Sequence, residues 1–376
     1  MSESIRLDKW LWAARFFKTR VLATEAVSGG KVHLNDNRVK PGREVKVGDR
    51  LTIQRGGYAF EIVVLAINKQ RRPAKEAQLL FEESEDSIKA REEQAENQRL
   101  ANSGQHFSDP LIVNDHQVVT SHRFEALGVN KKGDIYLAWL DKRDLLAAKK
   151  AGQPYNGAAL YYAISTDGGI TFNTNEKIID NTCQCCRVAM AIDTDQLPVV
   201  LWRHIFGDNI RDHALVKFDS RMKAGKVVQV SHDQWQVEAC PHHGPDISIA
   251  EDGVYHLAWF NNAAERHGLF YANSHDQGKS FSEAVSFGDY KAQAAHPQVL
   301  SLGKTVFLAW KEFDGKQATL MMMKSSDSGK TWSAPRILEK TTGNSDHPLL
   351  IANGNEVYAV WHRRGQGYQL FPLEND

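Results

Sequence analysis

The 376-residue chain lacks any run of eighteen or more apolar residues, so it offers no candidate for a membrane-spanning helix. Its first ten residues contain neither the apolar stretch nor the small-residue cleavage site of a secretory signal, which favours a cytoplasmic protein. It also lacks net charge, because 46 Lys and Arg balance 46 Asp and Glu. With 42% hydrophobic residues, a mainly disordered protein is excluded, and the length suits two or three folded domains.

The zero net charge hides a segregation along the chain. Residues 1–73 have eight more basic than acidic residues, whereas residues 74–104 and 105–376 each have four more acidic than basic residues. Such asymmetry indicates an anionic partner for the first segment, most often a nucleic acid. We therefore expect a basic domain over residues 1–73, a charged helix or linker over residues 74–104, and a further domain over residues 105–376.

The basic segment predicts a small α+β domain. Apolar residues at helical spacing indicate a helix over residues 7–17, and Thr19 can cap a second helix over residues 20–27. Alternating apolar residues indicate strands over residues 50–54 and 59–67, after two short strands around an Asn-Asp-Asn turn.

The acidic segment predicts one solvated helix. Residues 74–103 contain strong helix formers, mixed charges and no Gly or Pro, and the Ser103-Gly104 pair is expected to end the helix.

Several short motifs of the basic segment belong to one pattern. They are RLDKWLW from Arg6, KTR from Lys18, GKV from Gly30, VKP from Val39 and VGD from Val47. Together they resemble the S4 RNA-binding domain. With the following QRRPA and the acidic helix, the resemblance extends to the heat shock protein 15 family and covers about residues 4–100. Unlike that family, which ends in a basic flexible tail, this chain passes directly from residue 101 into its third segment.

The resemblance implies binding to structured RNA. In that family the partner is the large ribosomal subunit, with its rRNA, carrying a stranded nascent chain after premature dissociation. The residues expected to contact RNA are Arg6, Lys9, Arg15, Lys18, Thr19, Arg20, Lys31, Arg38 and Lys40. Such residues can follow the phosphates of A-form RNA by shape without reading bases. The alternative is that these charges only solvate small helices.

Two tryptophans of the first helix have an ambiguous role. Trp10 and Trp12 could stack on bases, but two tryptophans so close on one helix more often lie in a core. We favour a core position for Trp12.

Residues 105–376 contain a repeat of five units. Each unit has a strand with the sequence YLAW, VVLW, HLAW, FLAW or YAVW, and these strands end at Trp139, Trp202, Trp259, Trp310 and Trp361. Successive tryptophans are 63, 57, 51 and 51 residues apart. We expect each unit to have four strands, A to D, with the tryptophan in strand B.

Three units have a second motif between strands C and D. The sequences STDGGITF, SHDQGKSF and SSDSGKTW begin at Ser165, Ser274 and Ser325. Their Asp can accept backbone N–H bonds, their Gly is expected to have a positive φ, and their last aromatic residue is expected to pack under the turn. These motifs resemble the Asp boxes of sialidase-like β-propellers, an all-β fold. We count five blades, whereas sialidases commonly have six.

Closure of the propeller is expected to use both ends of this segment. Residues 106–111 resemble the D strands that follow the Asp boxes, and the last unit ends after its C strand. The first strand should therefore complete the last blade and remove exposed sheet edges.

Cysteine and histidine recur just before the A strands. These residues are Cys183, Cys185, Cys186, Cys240, His242, His243, His296 and His347. Radial symmetry would bring them together near the central channel as a zinc or copper site, although Cys-x-Cys-Cys is not a standard zinc spacing. The alternatives are disulfide bonds, for example between Cys240 and one of the first three cysteines, and a metal-free pocket or simple packing.

The same rim is expected to carry Arg123, Arg187 and Arg203. They could bind a small-molecule or glycan ligand, and an exo-α-sialidase-like glycoside hydrolase would need such arginines together with a Tyr and Glu pair. No such pair can be chosen from the sequence. The sequence thus favours a propeller without enzymatic activity, with the glycoside hydrolase or a metal-binding protein as alternatives.

Overall fold

The structure is a computed structural model that describes residues 4–55, 58–102, 109–116, 119–239 and 241–373. The chain forms two compact units, Met1–Ile112 and Val113–Asp376. Among the described residues, no helix has the length and apolar character needed to cross a membrane.

The first unit is a small α+β domain. Its elements up to residue 64 are β1 Ser4–Arg6, α1 Leu7–Ala13, α2 Arg20–Ser28, β2 Val32–Leu34, β3 Asn37–Arg38, β4 Glu44–Lys46, β5 Arg50–Arg55 and β6 Tyr58–Val64. They are followed by α3 Ala74–Ala77, a 3-10 turn Gln78–Leu80, β7 Phe81–Glu83 and α4 Glu85–Asn102. The main sheet has the order β3-β2-β5-β6-β7, and β1 pairs with β4. The α+β prediction is confirmed.

The first helix is shorter than predicted. It ends at Ala13, and Arg15 has a φ of 69°. The turn brings Phe16 back into the core, where it is 4% exposed. Burial of this ring explains why the apolar spacing continued past the helix end. The predicted cap of α2 is confirmed, because Thr19 Oγ1 accepts the N–H of Leu22 at 3.2 Å.

The prediction of one helix over residues 74–103 is wrong. The backbone of Phe81 pairs with Val64 as part of a strand, and its ring lies 4.8 Å from the ring of Phe16. Leu80 is also buried. Two apolar residues in a hydrophilic segment thus dock onto the sheet and override helix propensity. The predicted end of the helix at Ser103-Gly104 lies outside the described residues.

The second unit consists of successive antiparallel sheets, five of them in the described part of the chain. The first two are β8 His122–Val129, β9 Ile135–Asp141, β10 Ala158–Ser165, β11 Glu176–Thr182, and β12 Ala189–Ile192, β13 Pro198–Arg203, β14 His213–Ser220, β15 Lys223–Gln229. The next two are β16 Asp246–Ile249, β17 Tyr255–Asn262, β18 His267–Ser274, β19 Val285–Phe287, and β20 Ala295–Leu302, β21 Thr305–Phe313, β22 Ala318–Ser325, β23 Arg336–Thr341. The last is β24 Leu349–Asn353, β25 Glu356–Arg363 and β26 Gly367–Leu373.

Each sheet is a meander of the kind expected for a propeller blade. The first strands of consecutive sheets, from β8 to β24, pack side by side. Helix α5 Arg143–Lys150 lies between β9 and β10, and a 3-10 turn, Tyr290–Ala292, precedes β20. The β-propeller fold is confirmed.

The five repeated tryptophans lie in the second strand of their sheets and are buried. Their indole N–H groups reach acceptors near the sheet ends. Those of Trp139 and Trp259, for example, donate to carboxylates of Asp141 and Asp233 at 3.0 Å. The repeat therefore places a large apolar ring and its polar partner at the same point of each blade.

The three Asp-containing turns have the expected hydrogen bonds. Asp167 Oδ1 accepts the N–H groups of Ile170 and Thr171 at 3.1 and 3.0 Å. Asp276 and Asp327 accept the equivalent bonds. The turn glycines have a positive φ, and at Gly329 an added Cβ would lie 2.0 Å from the Tyr271 hydroxyl.

The last sheet has three strands in the described chain, with the order β24-β25-β26. Part of the strand expected to complete it, residues 106–108, lies outside the described residues. The remainder, residues 109–111, forms no strand. The following segment packs on the first sheet, where Val113 lies against the core that contains Trp139.

Candidate functional site

The basic surface of the first unit is organised around one carboxylate. Asp8 lies at the start of α1, its side chain is 3% exposed, and its Oδ2 is 3.1 Å from guanidinium nitrogens of both Arg6 and Arg20. Burial would raise the pKa of Asp8, but the Arg6 hydrogen bond and the charges of Arg20 and Arg6 hold it below its usual value. The two arginines remain about half exposed, at 54% and 47%. They are thus held side by side with their charges facing solvent.

Backbone contacts bring a basic loop next to this pair. The N–H of Leu7 donates to Arg43 O at 2.7 Å, and the N–H of Asp8 donates to Pro41 O at 3.2 Å. A Cβ added at Gly42 would lie 3.5 Å from the Arg6 guanidinium. Lys40 on this loop is exposed, so its charge extends the surface of the helix pair.

The other predicted residues lie along or beside the two helices. Lys18 and Lys31 are exposed and Lys9 is half-buried. Arg38 is exposed and donates to Ser28 O at 3.0 Å, at the end of α2. Thr19 is exposed beside Lys18 and caps α2 through its hydroxyl.

A second arginine cluster was missed by the sequence prediction. Arg71 donates to Trp12 O at 2.5 Å and Phe17 O at 2.7 Å, and Arg55 donates to Arg15 O at 3.3 Å. Burial and the charges of Arg15 and Arg55 lower the pKa of Arg71. The QRRPA motif contains Arg71, but its partners Trp12 and Phe17 lie more than fifty residues earlier in the sequence. A local pattern could not reveal these contacts.

The two tryptophans differ in position. Trp10 is fully buried and donates to Ala66 O at 3.0 Å. Trp12 is only half-buried, and the Arg71 guanidinium lies 5.8 Å from its ring centre. Trp10 is therefore a core residue, and Trp12 forms part of the rim beside the second arginine cluster.

In the propeller, the described members of the predicted Cys and His centre fall into separate groups. Cys183, Cys185 and Cys186, here called the thiol cluster, are 1%, 4% and 1% exposed. The Cys183 sulfur is 3.6 Å from that of Cys185 and 3.4 Å from that of Cys186. Cys240 lies outside the described residues.

Two buried arginines face the thiol cluster. Arg211 Nη1 donates to Cys183 Sγ at 3.4 Å, and the charge of Arg203 acts on the same sulfur. Hydrogen bonds from Cys185 and Cys186, with this arginine charge, lower the pKa of Cys183. Donation to Cys183 raises the pKa of Cys185 and of Cys186. The arginine charges beside the cluster thus favour a thiolate at Cys183.

The second group is a histidine stack formed by His243, His296 and His347. Their ring centres are 4.6 Å apart for the first pair and 3.6 Å apart for the second. Burial, with the charges of its neighbours, lowers the pKa of His296 to about 2, and burial lowers the pKa of His243 and His347 to about 4. The stack is therefore neutral at physiological pH. His242 is exposed beside it.

The histidine stack borders a cavity of about 800 Å³. Its lining includes His243, His296, Phe260, Tyr290, Lys311 and Asn344. Burial lowers the pKa of Lys311, whose Nζ is 3.3 Å from Ser345 O. The cavity thus offers aromatic faces together with one partly desolvated amine.

The three predicted ligand-binding arginines have different surroundings. Arg203 is 1% exposed and donates to carbonyls of Arg211, His243 and Phe260, which is a structural role. Arg187 is exposed, and its charge acts on His296 and His347. Arg123 is exposed and lines a different hollow with His122 and Trp139.

Comparisons of the first unit with known proteins identify a family and several relatives. Residues 5–51 match the S4 domain family. Over 91 residues the chain is 53% identical to heat shock protein 15 of Escherichia coli (strain K12), which is 24% of this chain and 68% of that protein. It is 34% identical over 71 residues to the RQC P-site tRNA stabilizing factor of Bacillus subtilis (strain 168), 19% of this chain and 79% of that protein.

Solved structures resemble both units. The trimeric structure of heat shock protein 15 from Vibrio cholerae is 49% identical and covers 26% of this chain and 99% of its own, with a TM-score of 0.26. The NanB sialidase from Streptococcus pneumoniae is 10% identical and covers 88% of this chain and 74% of its own, with a TM-score of 0.46.

Proposed function

Because the chain belongs, through its N-terminal domain, to the heat shock protein 15 family, we propose that it binds structured RNA on the ribosome. The contact surface is the one built by Arg6, Arg20 and the loop with Lys40. The proposed partners are rRNA of the large subunit carrying a stranded nascent chain and, by analogy with the Bacillus subtilis relative, the P-site tRNA. This function places the protein in the cytoplasm.

The observation that carries the proposal is the arginine pair on Asp8. Two guanidiniums held by one buried carboxylate keep a fixed spacing while about half of each side chain stays exposed. Such fixed donors suit phosphate oxygens, which position a protein on RNA without reading its sequence. The neighbouring loop and the exposed lysines extend the same surface along an RNA backbone.

The proposal is tested by the salt dependence of RNA binding by the full chain. We expect Arg20→Ala and Lys18→Ala each to weaken binding to unrelated structured RNAs and to reduce the salt slope by about one ion. Lys226→Ala, an exposed lysine of the propeller, is the matched control and should bind as the parent chain does. Loss confined to one RNA sequence would contradict recognition by shape.

For the propeller we propose binding of an anionic small molecule or glycan in the cavity beside the histidine stack. Lys311 supports this, since the described residues place no carboxylate within 4.0 Å of its amine. A thermal-shift screen of carboxylated sugars, including sialic acid, against the full chain and Lys311→Met tests the idea. A fluorogenic sialoside tests the alternative of a glycoside hydrolase, and turnover lost in Lys311→Met would favour that alternative.

A further inference from the structure

The thiol cluster brings three possible metal ligands together. Its three sulfur atoms lie within 4.8 Å of one another on a four-residue stretch of chain. Bonds of about 2.3 Å to one metal ion would hold thiolates about 3.8–4.0 Å apart. The distances of 3.6 and 3.4 Å from Cys183 to its neighbours are about 0.4 and 0.6 Å shorter than the trigonal value of about 4.0 Å, so small side-chain rotations would reach a coordinating geometry.

The local fold keeps the cluster in place. The N–H of Cys183 donates to Arg203 O at 3.0 Å, directly after β11. Thr182 Oγ1 donates to Ala158 O at 2.8 Å. On the other side, Gly244 lies so close to the backbone of Arg187 that an added Cβ would be 2.6 Å from Arg187 O. Both ends of the Cys-x-Cys-Cys stretch are thus fixed to neighbouring strands and loops.

Two buried positive charges beside the cluster call for an anion. Arg203 and Arg211 are 1% and 9% exposed, and arginine keeps its proton even when buried. Within the described residues neither has a carboxylate within 4.0 Å, and Arg203 Nε has no hydrogen-bond partner. The buried carboxylate of Asp212 interacts with Arg203 from a longer distance, and an anionic group at the thiol cluster would stabilise both guanidiniums further. Arg211 already points a donor at Cys183.

The number of ligands and their burial select the metal. The described part of the chain provides three sulfur ligands in the cluster and no fourth His, Cys, Asp or Glu. Zinc in proteins almost always takes four ligands, whereas Cu(I) is a soft ion that accepts thiolates and tolerates three. Burial of the sulfurs leaves little room for water as a further ligand. Three thiolates and one Cu(I) have a charge of minus two, which the two guanidiniums balance.

We propose that Cys183, Cys185 and Cys186 form a three-coordinate Cu(I) site. The site is independent of the RNA-binding surface, so its test does not depend on the proposed function. Loading would release the thiol protons, and Cu(I) affinity should therefore fall as the pH is lowered.

The test is anaerobic titration of the reduced full-length chain with Cu(I) against the chromophoric competitor bicinchoninate. We expect one Cu(I) per chain, loss of at least about a hundredfold in affinity for Cys185→Ser, and unchanged affinity for Cys240→Ser. Arg211→Gln should bind Cu(I) about tenfold more weakly, and Arg211→Lys should recover most of that loss because it keeps the charge. Circular dichroism of each metal-free variant checks that it is folded.

X-ray absorption of the copper-loaded parent chain measures the number and length of the copper–ligand bonds. It needs no variant, so it tests the proposal even if a variant does not fold. Three Cu–S bonds of about 2.3 Å are expected, with no nitrogen ligand. Loss of binding in Cys240→Ser, a four-coordinate spectrum, or preferential loading with Zn²⁺ would overturn the proposal. A disulfide within the cluster of the protein purified without oxidants would also overturn it.

Discussion

Asp8 shows how one residue can arrange a binding surface that it does not itself form. Its carboxylate is almost completely buried, yet it fixes two exposed arginines, one directly before α1 and the other at the first position of α2. The basic character of Arg6 and Arg20 was apparent from the sequence. Their pairing was not, because a carboxylate next to basic residues along the chain can as easily point into solvent.

We expect Asp8→Asn to lower the free energy of unfolding of the first unit by about 1–3 kcal/mol, because a buried charged acceptor is lost. RNA binding should also weaken, since the two guanidiniums lose their fixed spacing. The pKa of Asp8 is lowered in the folded state, so its stabilising contribution exists above the usual carboxyl pKa and is lost as the pH falls below it. Urea unfolding between pH 3 and 7 measures this effect. Glu25→Gln, an exposed residue of α2, is the control, and equal losses in both variants would contradict the account.

For single helices, strands and turns, the sequence predicted the structure well where the structure depends on residues close together along the chain. The hydrogen bonds of the Asp-containing turns lie within one hairpin, and they form as expected. The repeated tryptophans lie in second strands, as their spacing predicted. The segment around Phe81 failed because its strand depends on pairing with a distant strand. The predicted Cys and His centre is instead two groups, the thiol cluster and the histidine stack. Equivalent positions in a repeat do not determine how deeply each side chain is buried. Arg203 and Arg211 also fill the space beside the thiols.

The turn at Asp167 gives a test at this scale. Asp167→Ala removes the acceptor of four bonds, including those of the Ser165 hydroxyl at 2.8 Å and the Thr171 hydroxyl at 2.6 Å, and should destabilise the propeller by about 1–3 kcal/mol. RNA binding should be unchanged. Differential scanning calorimetry of the full chain measures the loss, with Glu265→Ala on an exposed loop as the control. A melting curve identical to that of the parent chain would show that the turn contributes nothing to stability.

For the whole molecule, the buried histidines of the propeller make its free energy of unfolding fall at acidic pH. Six histidines there have a lowered pKa because they are buried: His204, His213, His243, His256, His296 and His347. Each binds a proton more readily in the unfolded chain, so the stability it contributes exists above about pH 6.5 and is lost as the pH falls. Each adds a slope of about 1.4 kcal/mol per pH unit down to its folded pKa.

His256 tests this behaviour most simply, since it is fully buried with its Nδ1 2.7 Å from the Tyr271 hydroxyl and has a pKa lowered to about 4. We expect His256→Gln to reduce the pH dependence of propeller stability between pH 6 and 4.5 by about one proton. His275→Gln, which is exposed, should leave the dependence unchanged. Urea unfolding of both variants and the parent chain at several pH values measures this dependence. A slope that is the same in His256→Gln and the parent chain would contradict the assignment.

The proposed role of the N-terminal domain is to bring this chain to the ribosome. Co-sedimentation with ribosomes at low and high salt tests it most directly, with the full chain, the full chain with Arg20→Ala, and the propeller from residue 113 onward. We predict that the full chain co-sediments and is released as salt rises, that Arg20→Ala binds more weakly, and that the propeller alone stays in the supernatant. Binding of the propeller alone, or binding of the full chain that does not respond to salt or to Arg20→Ala, would contradict the account.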